Sequence, residues 1–199
     1  MDFRSRIQGG FAVLVLFIGV FGSSVTFGKV SVYGGEFNLP IPDKGWMADA
    51  VIEVKDHHII QDLDVGINIT HTNVFDLQIF LRSPAGARVC LNAYDAIGGF
   101  FKGANYVQTV FDDEAEVPVE LGEAPFTGRF KPVEPYKLSQ FDGQDAYGLW
   151  RLQVYDAFYA DTGTLDSFEL MVANPEPATA LLVMVGVCLM LWQGRRQAR

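Results

Sequence analysis

Apolar and polar residues alternate along much of the middle of this chain. Val65, Ile67 and Ile69 alternate with Gly66, Asn68 and Thr70, and Leu77, Ile79 and Leu81 alternate with Gln78 and Arg82. Trp150, Leu152 and Val154 alternate with Arg151 and Gln153, and Phe168, Leu170 and Val172 alternate with Glu169. A period of two sends successive side chains to opposite faces, so each stretch predicts a strand with one face buried. Ser83-Pro-Ala-Gly86 has the residues of a turn, and Arg88 to Leu91 reads as the strand after it. The body shows no helical period, internal repeat or low-complexity stretch. Many short strands joined by Gly, Pro and Asp turns predict an all-β domain, a β-sandwich of jelly-roll type.

Both ends of the chain break this pattern. MDFRSRIQGGFAVLVLFIGVFGSS places Arg4 and Arg6 before an apolar run from Phe11 to Val20, followed by small residues. This is the order of a secretory signal peptide, here residues 1–28, with cleavage after Ser24 or Gly28. At the other end Ala178 to Trp192 is apolar on every face and is followed by Arg195, Arg196 and Arg199. As a helix it reaches roughly 22 Å, so it spans a bilayer only marginally, and positive charge after it favours the cytoplasmic side. Pro175-Glu176-Pro177, the apolar run and the basic end resemble the PEP-CTERM sorting tail of bacterial exported proteins. The resemblance implies processing by an exosortase-type membrane enzyme. It also implies a protein that is exported to the cell surface or an extracellular matrix, with the C-terminal hydrophobic helix as its membrane contact. Pro175, Glu176, Pro177, Arg195 and Arg196 carry that motif, although the basic end QGRRQAR departs from an unbroken arginine run.

The body between these ends, residues 29–174, holds ten lysines and arginines against 22 aspartates and glutamates, a net charge of −12. Phosphate backbones are repelled by such a surface, so nucleic acid is excluded as a partner. Cys90 is the one cysteine of the body, so no disulfide forms within it, and no zinc-ligand spacing is present.

The acids crowd into loop positions: Asp62 and Asp64, Asp76, Asp112-Asp113-Glu114, Asp142 and Asp145, Asp156, Asp161 and Asp166. Calcium takes six to eight oxygens from carboxylates and loop carbonyls. Asp112, Asp113 and Asp76 are the first candidate set for one Ca2+ ion, and Asp156 with Asp161 is the second. The other reading of FDDEA is a solvated loop whose carboxylates accept backbone N–H groups. Phe100, Phe101 and Tyr106 surround the glycine-rich loop GGFFKGANY and are candidates for contact with a partner or a sugar face. The bland reading of that loop is a fold back onto the sandwich edge.

HTNVFDLQIFLRSP brings His71, Asp76 and Ser83 together in sequence, the ingredients of a hydrolase triad. They fall at a strand end, a strand start and the following turn, which is a poor arrangement for a triad. None of Ser31, Ser83, Ser139 and Ser167 sits in a glycine-flanked nucleophile elbow. No catalytic residue is assigned. His71 is expected to hydrogen-bond across a strand end, with Thr72 and Asp76 ordering the loop.

Taken in order, VGINITHT, DLQIFLRSPAG, VQTVFDDEA, APFTGRFKPVEP, LSQFDGQDAYGLWRLQVYD and DTGTLDSFEL resemble the P domain, or P/Homo B domain, of kexin- and furin-like proprotein convertases and bacterial secreted peptidases. The resemblance runs from Ile41 to Val172. It implies a compact jelly-roll sandwich that accompanies a subtilisin-like catalytic domain, stabilises it and influences its calcium and pH dependence. The catalytic residues of that family belong to the other domain. Three functions are weighed on this basis. The first is a non-catalytic exported module that binds a secreted protein partner. The second is a calcium-dependent module for extracellular polysaccharide. The third, ranked last, is a serine-type endopeptidase component.

Overall fold

A computed structural model describes residues 29–94 and 103–174. The expected signal peptide 1–28, Phe100, Phe101 and the expected sorting-motif residues Pro175, Glu176, Pro177, Arg195 and Arg196 lie outside the described residues. So does the apolar run from Ala178 to Trp192. Among the described residues no helix is long and apolar enough to cross a membrane.

The described chain forms β1 (Lys29–Ile41), β2 (Gly45–Trp46), β3 (Ala50–Val54), β4 (Asp62–His71), β5 (Leu77–Arg82), β6 (Arg88–Asn92), β7 (Tyr106–Phe111), β8 (Phe126–Phe130), β9 (Gly148–Asp156) and β10 (Gly163–Asn174). One sheet has the order β1-β10-β4-β7-β8. The other has the order β2-β9-β5-β6, with β3 also paired to β9. This is the expected all-β sandwich. Short 3-10 turns at Val74–Asp76, Val119–Leu121 and Leu138–Phe141 join strands.

The alternating residues do what their period demands. Val65, Ile67 and Ile69 of β4, Leu77, Ile79 and Leu81 of β5, Trp150, Leu152 and Val154 of β9, and Phe168, Leu170 and Val172 of β10 are all buried between the sheets. Each large side chain removed from water contributes roughly 1.5–3 kcal/mol. Trp150 is fully buried, and its indole N–H donates to the Ala146 carbonyl at 2.8 Å. Phe141 packs edge-on against it with centroids 5.2 Å apart. Cys90 is part of the same core.

Crossings between the sheets set the two ends of the sandwich. β4 and β5 are consecutive in sequence, yet they belong to different sheets and are joined across the Val74–Asp76 turn. His71 of β4 pairs with Gly163 of β10, and Leu77 of β5 pairs with Asp156 of β9. The end of β4, the start of β5, the end of β9 and the start of β10 therefore meet at one end. Gly163 must be glycine there, because a Cβ would come within 2.3 Å of the Thr70 carbonyl oxygen. At the opposite end Val65 of β4 pairs with Phe111 of β7, and Phe111 pairs with Phe130 of β8.

Candidate functional site

The end built on His71 is a buried polar network. The His71 and Asp156 side chains are both 0% exposed, and His71 Nε2 donates to Asp156 Oδ2 at 3.1 Å. The main chain of Asn73 clamps the other ring nitrogen, with its carbonyl oxygen 2.9 Å and its nitrogen 3.1 Å from Nδ1. Asn73 Nδ2 donates to Asp76 Oδ1 at 2.8 Å, and the Phe158 N–H donates to Asp156 Oδ1 at 3.0 Å. The Ala157 N–H reaches the Asp76 carbonyl at 2.9 Å. Thr72 Oγ1 donates to Asp161 Oδ1 at 2.7 Å on the outside of this network. Loops from both sheets are thus tied through one imidazole and two carboxylates.

Burial pushes the Asp156 carboxyl above the ordinary range; its bonds to Phe158 and His71 oppose the shift, and the Asp43 charge adds to it. Burial also raises Asp76, helped by the charges of Asp156 and Asp161. Desolvation disfavours the charged form, and neighbouring like charges do the same.

The opposite end holds the other acids. Arg129 donates through Nε to Asp112 Oδ2 at 2.6 Å and through a terminal nitrogen to Asp64 Oδ2. Burial pushes Asp112 up, but the Arg129 guanidinium and the Glu114 N–H outweigh it and hold the carboxyl below its usual value. Asp64 is raised, chiefly by burial, despite the same arginine. Glu114 is pushed up to about 7 by burial, by its bond to Asp112 and by the charges of Asp62, Asp112 and Asp113. Asp113 accepts the N–H groups of Leu138 and Ser139, each at 2.9 Å, and so closes the Leu138–Phe141 turn.

This placement corrects the first expected calcium set. Asp76 bonds within the His71 network, while Asp112 and Asp113 lie beside the Val65 end of β4. The strand between them spans about 20 Å. Asp76 therefore does not share an ion with Asp112 and Asp113. Both oxygens of Asp112 and of Asp113 accept protein donors, which matches the alternative reading of FDDEA. Of the second set, Asp156 has both oxygens engaged, and Asp161 accepts Thr72. Among the described residues no three carboxylates, imidazoles or thiols are placed to hold a metal ion.

Tyr106, expected at a partner-facing loop, is buried in the core with its ring stacked 4.9 Å from that of Phe126. Gln108, with φ of 48°, and a register shift between Val107 and Thr109 break the alternation of β7, so the strand gave no clear sign of which face Tyr106 occupies. His71, Asp76 and Ser83 do not come together. Ser83 is buried in the β5–β6 turn, at the far end of β5 from His71. His57 bonds Asp145 at 2.6 Å and stacks on Tyr147, whereas its neighbour His58 meets Asn174.

Sequence reasoning missed Asn73, Arg129 and the surface aromatics. Trp46 is 52% exposed and lies 4.9 Å from Tyr155 and 6.1 Å from Phe80 by ring centroids. Arg88 stacks its guanidinium over Phe80 at 3.6 Å. The one signal for Arg129 was its scarcity, as a cation among many acids.

A family model described as the proprotein convertase P-domain matches residues 60–172. Solved structures are similar as well. The serine protease of Aeromonas sobria in complex with a chaperone is 17% identical, with a TM-score of 0.46, over 75% of this chain and 28% of that one. The serine protease of the same organism by itself is 18% identical, with a TM-score of 0.46, over 73% of this chain and 27% of that one. This chain therefore spans little more than a quarter of those proteins. No curated protein matches it.

Proposed function

The chain belongs to the proprotein convertase P-domain family, and from that premise we propose that it is a non-catalytic accessory module that binds a secreted protein partner, a subtilisin-like peptidase. One observation carries the non-catalytic part. The His71–Asp156 pair has the chemistry of a histidine and its orienting acid, but both side chains are sealed from solvent. A substrate has no access to it, and among the described residues no serine hydrogen-bonds to a histidine. The pair holds the sandwich together instead.

Export belongs to the same proposal and rests on sequence. The charged and apolar N-terminus suits a secretory signal, and Pro175 to Arg199 suits sorting by an exosortase-type enzyme at the membrane. The mature module is then held at the cell surface or in the extracellular matrix. Calcium enters as a proposal for the loops at the sandwich ends. A Tm that rises with added calcium and falls with chelator supports it, and identical melts end it.

The test is affinity capture of the tagged chain from its own host, followed by mass spectrometry. The expected result is a co-purifying peptidase whose activity on a fluorogenic peptide changes when the module is added, while the module alone is inert. Hydrolysis by the purified module overturns the reading. A second reading, binding of extracellular polysaccharide, is favoured by the exposed Trp46 beside Tyr155, since aromatic faces pack well on sugar rings. Retention on a polysaccharide column that Trp46→Ala abolishes, with no peptidase captured, moves the conclusion there.

A further inference from the structure

Two sheet edges lie open along the same side of the sandwich. β1 is the outermost strand of its sheet and pairs only with β10. β3 pairs only with β9. Among the described residues nothing pairs with the outer edge of either strand. An open edge presents unpaired backbone N–H and C=O groups, which natural proteins commonly blunt or cover. Here the two edges flank a groove of about 430 Å³, lined by Val32, Tyr33, Gly35 and Phe37 of β1 and by Val51 and Ile52 of β3.

The groove combines an accessible backbone with the half-buried aromatic rings of Tyr33 and Phe37. Tyr33 and Phe37 pack against the core from β1, while Val32 is 59% and Val51 37% exposed. Consecutive glycines set the shape. A Cβ at Gly34 would come within 2.5 Å of the Phe168 carbonyl oxygen, so glycine lets β1 lie close on β10. A Cβ at Gly35 would meet nothing within 4 Å, so this position leaves the groove open. Glu36 and Glu53 are exposed beside it, as is Asp56, which accepts the Tyr33 hydroxyl at 3.4 Å. Lys55 sits with Glu53 at 3.4 Å, leaving an excess of negative charge around the groove.

We infer that this groove is a strand-addition site for a partner protein, and that its occupant is an extended segment of about five residues with alternate apolar side chains, flanked on each side by a basic residue. The length follows from β3 and from the lining stretch of β1. Alternate side chains of the segment point between the sheets beside Gly35, Phe37 and Ile52, and the others face solvent. Its backbone completes the ladder of an open edge, and its lysines or arginines meet Glu36, Glu53 and Asp56. This deepens the accessory-module reading by naming where the partner docks, and it rests on that reading for the partner's identity.

The test uses the full chain and a fluorescent peptide, Lys-Val-Thr-Val-Thr-Val-Lys, followed by anisotropy. Saturable binding is expected. A Cβ at Gly35 meets nothing within 4 Å, so Gly35→Trp is expected to keep the circular dichroism and Tm of the parent while peptide affinity falls about tenfold or more. N-methylation of the peptide at alternate residues removes its donors to an edge and is expected to weaken binding by about the same factor. A folded Gly35→Trp chain that binds as well as the parent overturns the groove, and undiminished binding of the N-methylated peptide overturns strand addition. A photo-crosslinking residue at Val32 that joins only to this chain's own residues 1–28 or 175–199 also overturns it, because the occupant is then internal. If Gly35→Trp still captures the peptidase, the groove proposal fails while the accessory function stands. If the peptide binds but no peptidase is ever captured, the accessory function fails and the strand site stands.

Discussion

At the His71 end one imidazole meets Asp156 with both side chains out of solvent. At the other end one guanidinium joins Asp64 and Asp112 while 49% of its own side chain faces water. Both arrangements place a base among several acids, and both tie distant strands together. They differ in the medium around the charges. Water and salt screen the arginine cluster, so its strength depends on conditions. The histidine network has no such screening, and removing one member strands the rest in a low-dielectric interior. Similar residue types thus give a permanent clasp at one end and an adjustable one at the other.

The largest expected effect comes from breaking the clasp. His71→Ala leaves Asp156 buried without its partner and is expected to cost about 3–5 kcal/mol in urea unfolding, nearly independent of salt. A loss below about 1 kcal/mol would show that the network relaxes or hydrates, and the contrast between the ends would collapse. Arg129→Ala comes next. The direct pairs are half exposed and so discounted for screening, which leaves an expected loss of about 1 kcal/mol that shrinks in 1 M salt. An equal loss at both ionic strengths would mean that this end is as dry as the other.

Asp113→Ala removes the acceptor for the Leu138 and Ser139 N–H groups, which water then reaches in part. The expected cost is about 1 kcal/mol with no salt dependence, read from the urea midpoint, because hydrogen bonds rather than ion pairs are lost. Glu114 has the smallest effect. Its carboxyl binds a proton more tightly folded than unfolded, so it favours folding at low pH and loses that contribution as pH rises from about 4.5 through about 7. Glu114→Gln is therefore expected to flatten the fall in Tm between pH 5 and pH 8 by about 2 °C, the exposed position keeping the effect small. A steeper fall in the variant would reverse the assigned sign.

The strands were legible because each signal is local. Two-residue alternation in β4, β5, β9 and β10 states which face is buried without reference to any partner. The candidate site was less legible, for reasons visible in particular residues. Asp76 and Asp112 were both read as acidic loop residues, but the crossing from β4 to β5 carries Asp76 to the far end of the sandwich. His71 was read as bonding across a strand end, yet its partner Asp156 is 85 positions away. Tyr106 follows a glycine-rich loop and precedes a bulge, so neither neighbour announced that it faces the core. Gly34 and Gly35 are alike in the sequence, and only the proximity of β10 to the first makes their roles opposite.

Read alone, the chain specifies an all-β body, an acidic surface and the family to which that body belongs. These follow from side-chain period, charge and motif order, which require no knowledge of contacts. Which acids meet which bases, and which of them water reaches, follows from how the strands cross between two sheets. Pairing across tens of residues depends on loop closure and on register, quantities that neighbouring residues do not encode. The open groove between β1 and β3 has the same origin, since an edge exists only once the other strands have found their partners.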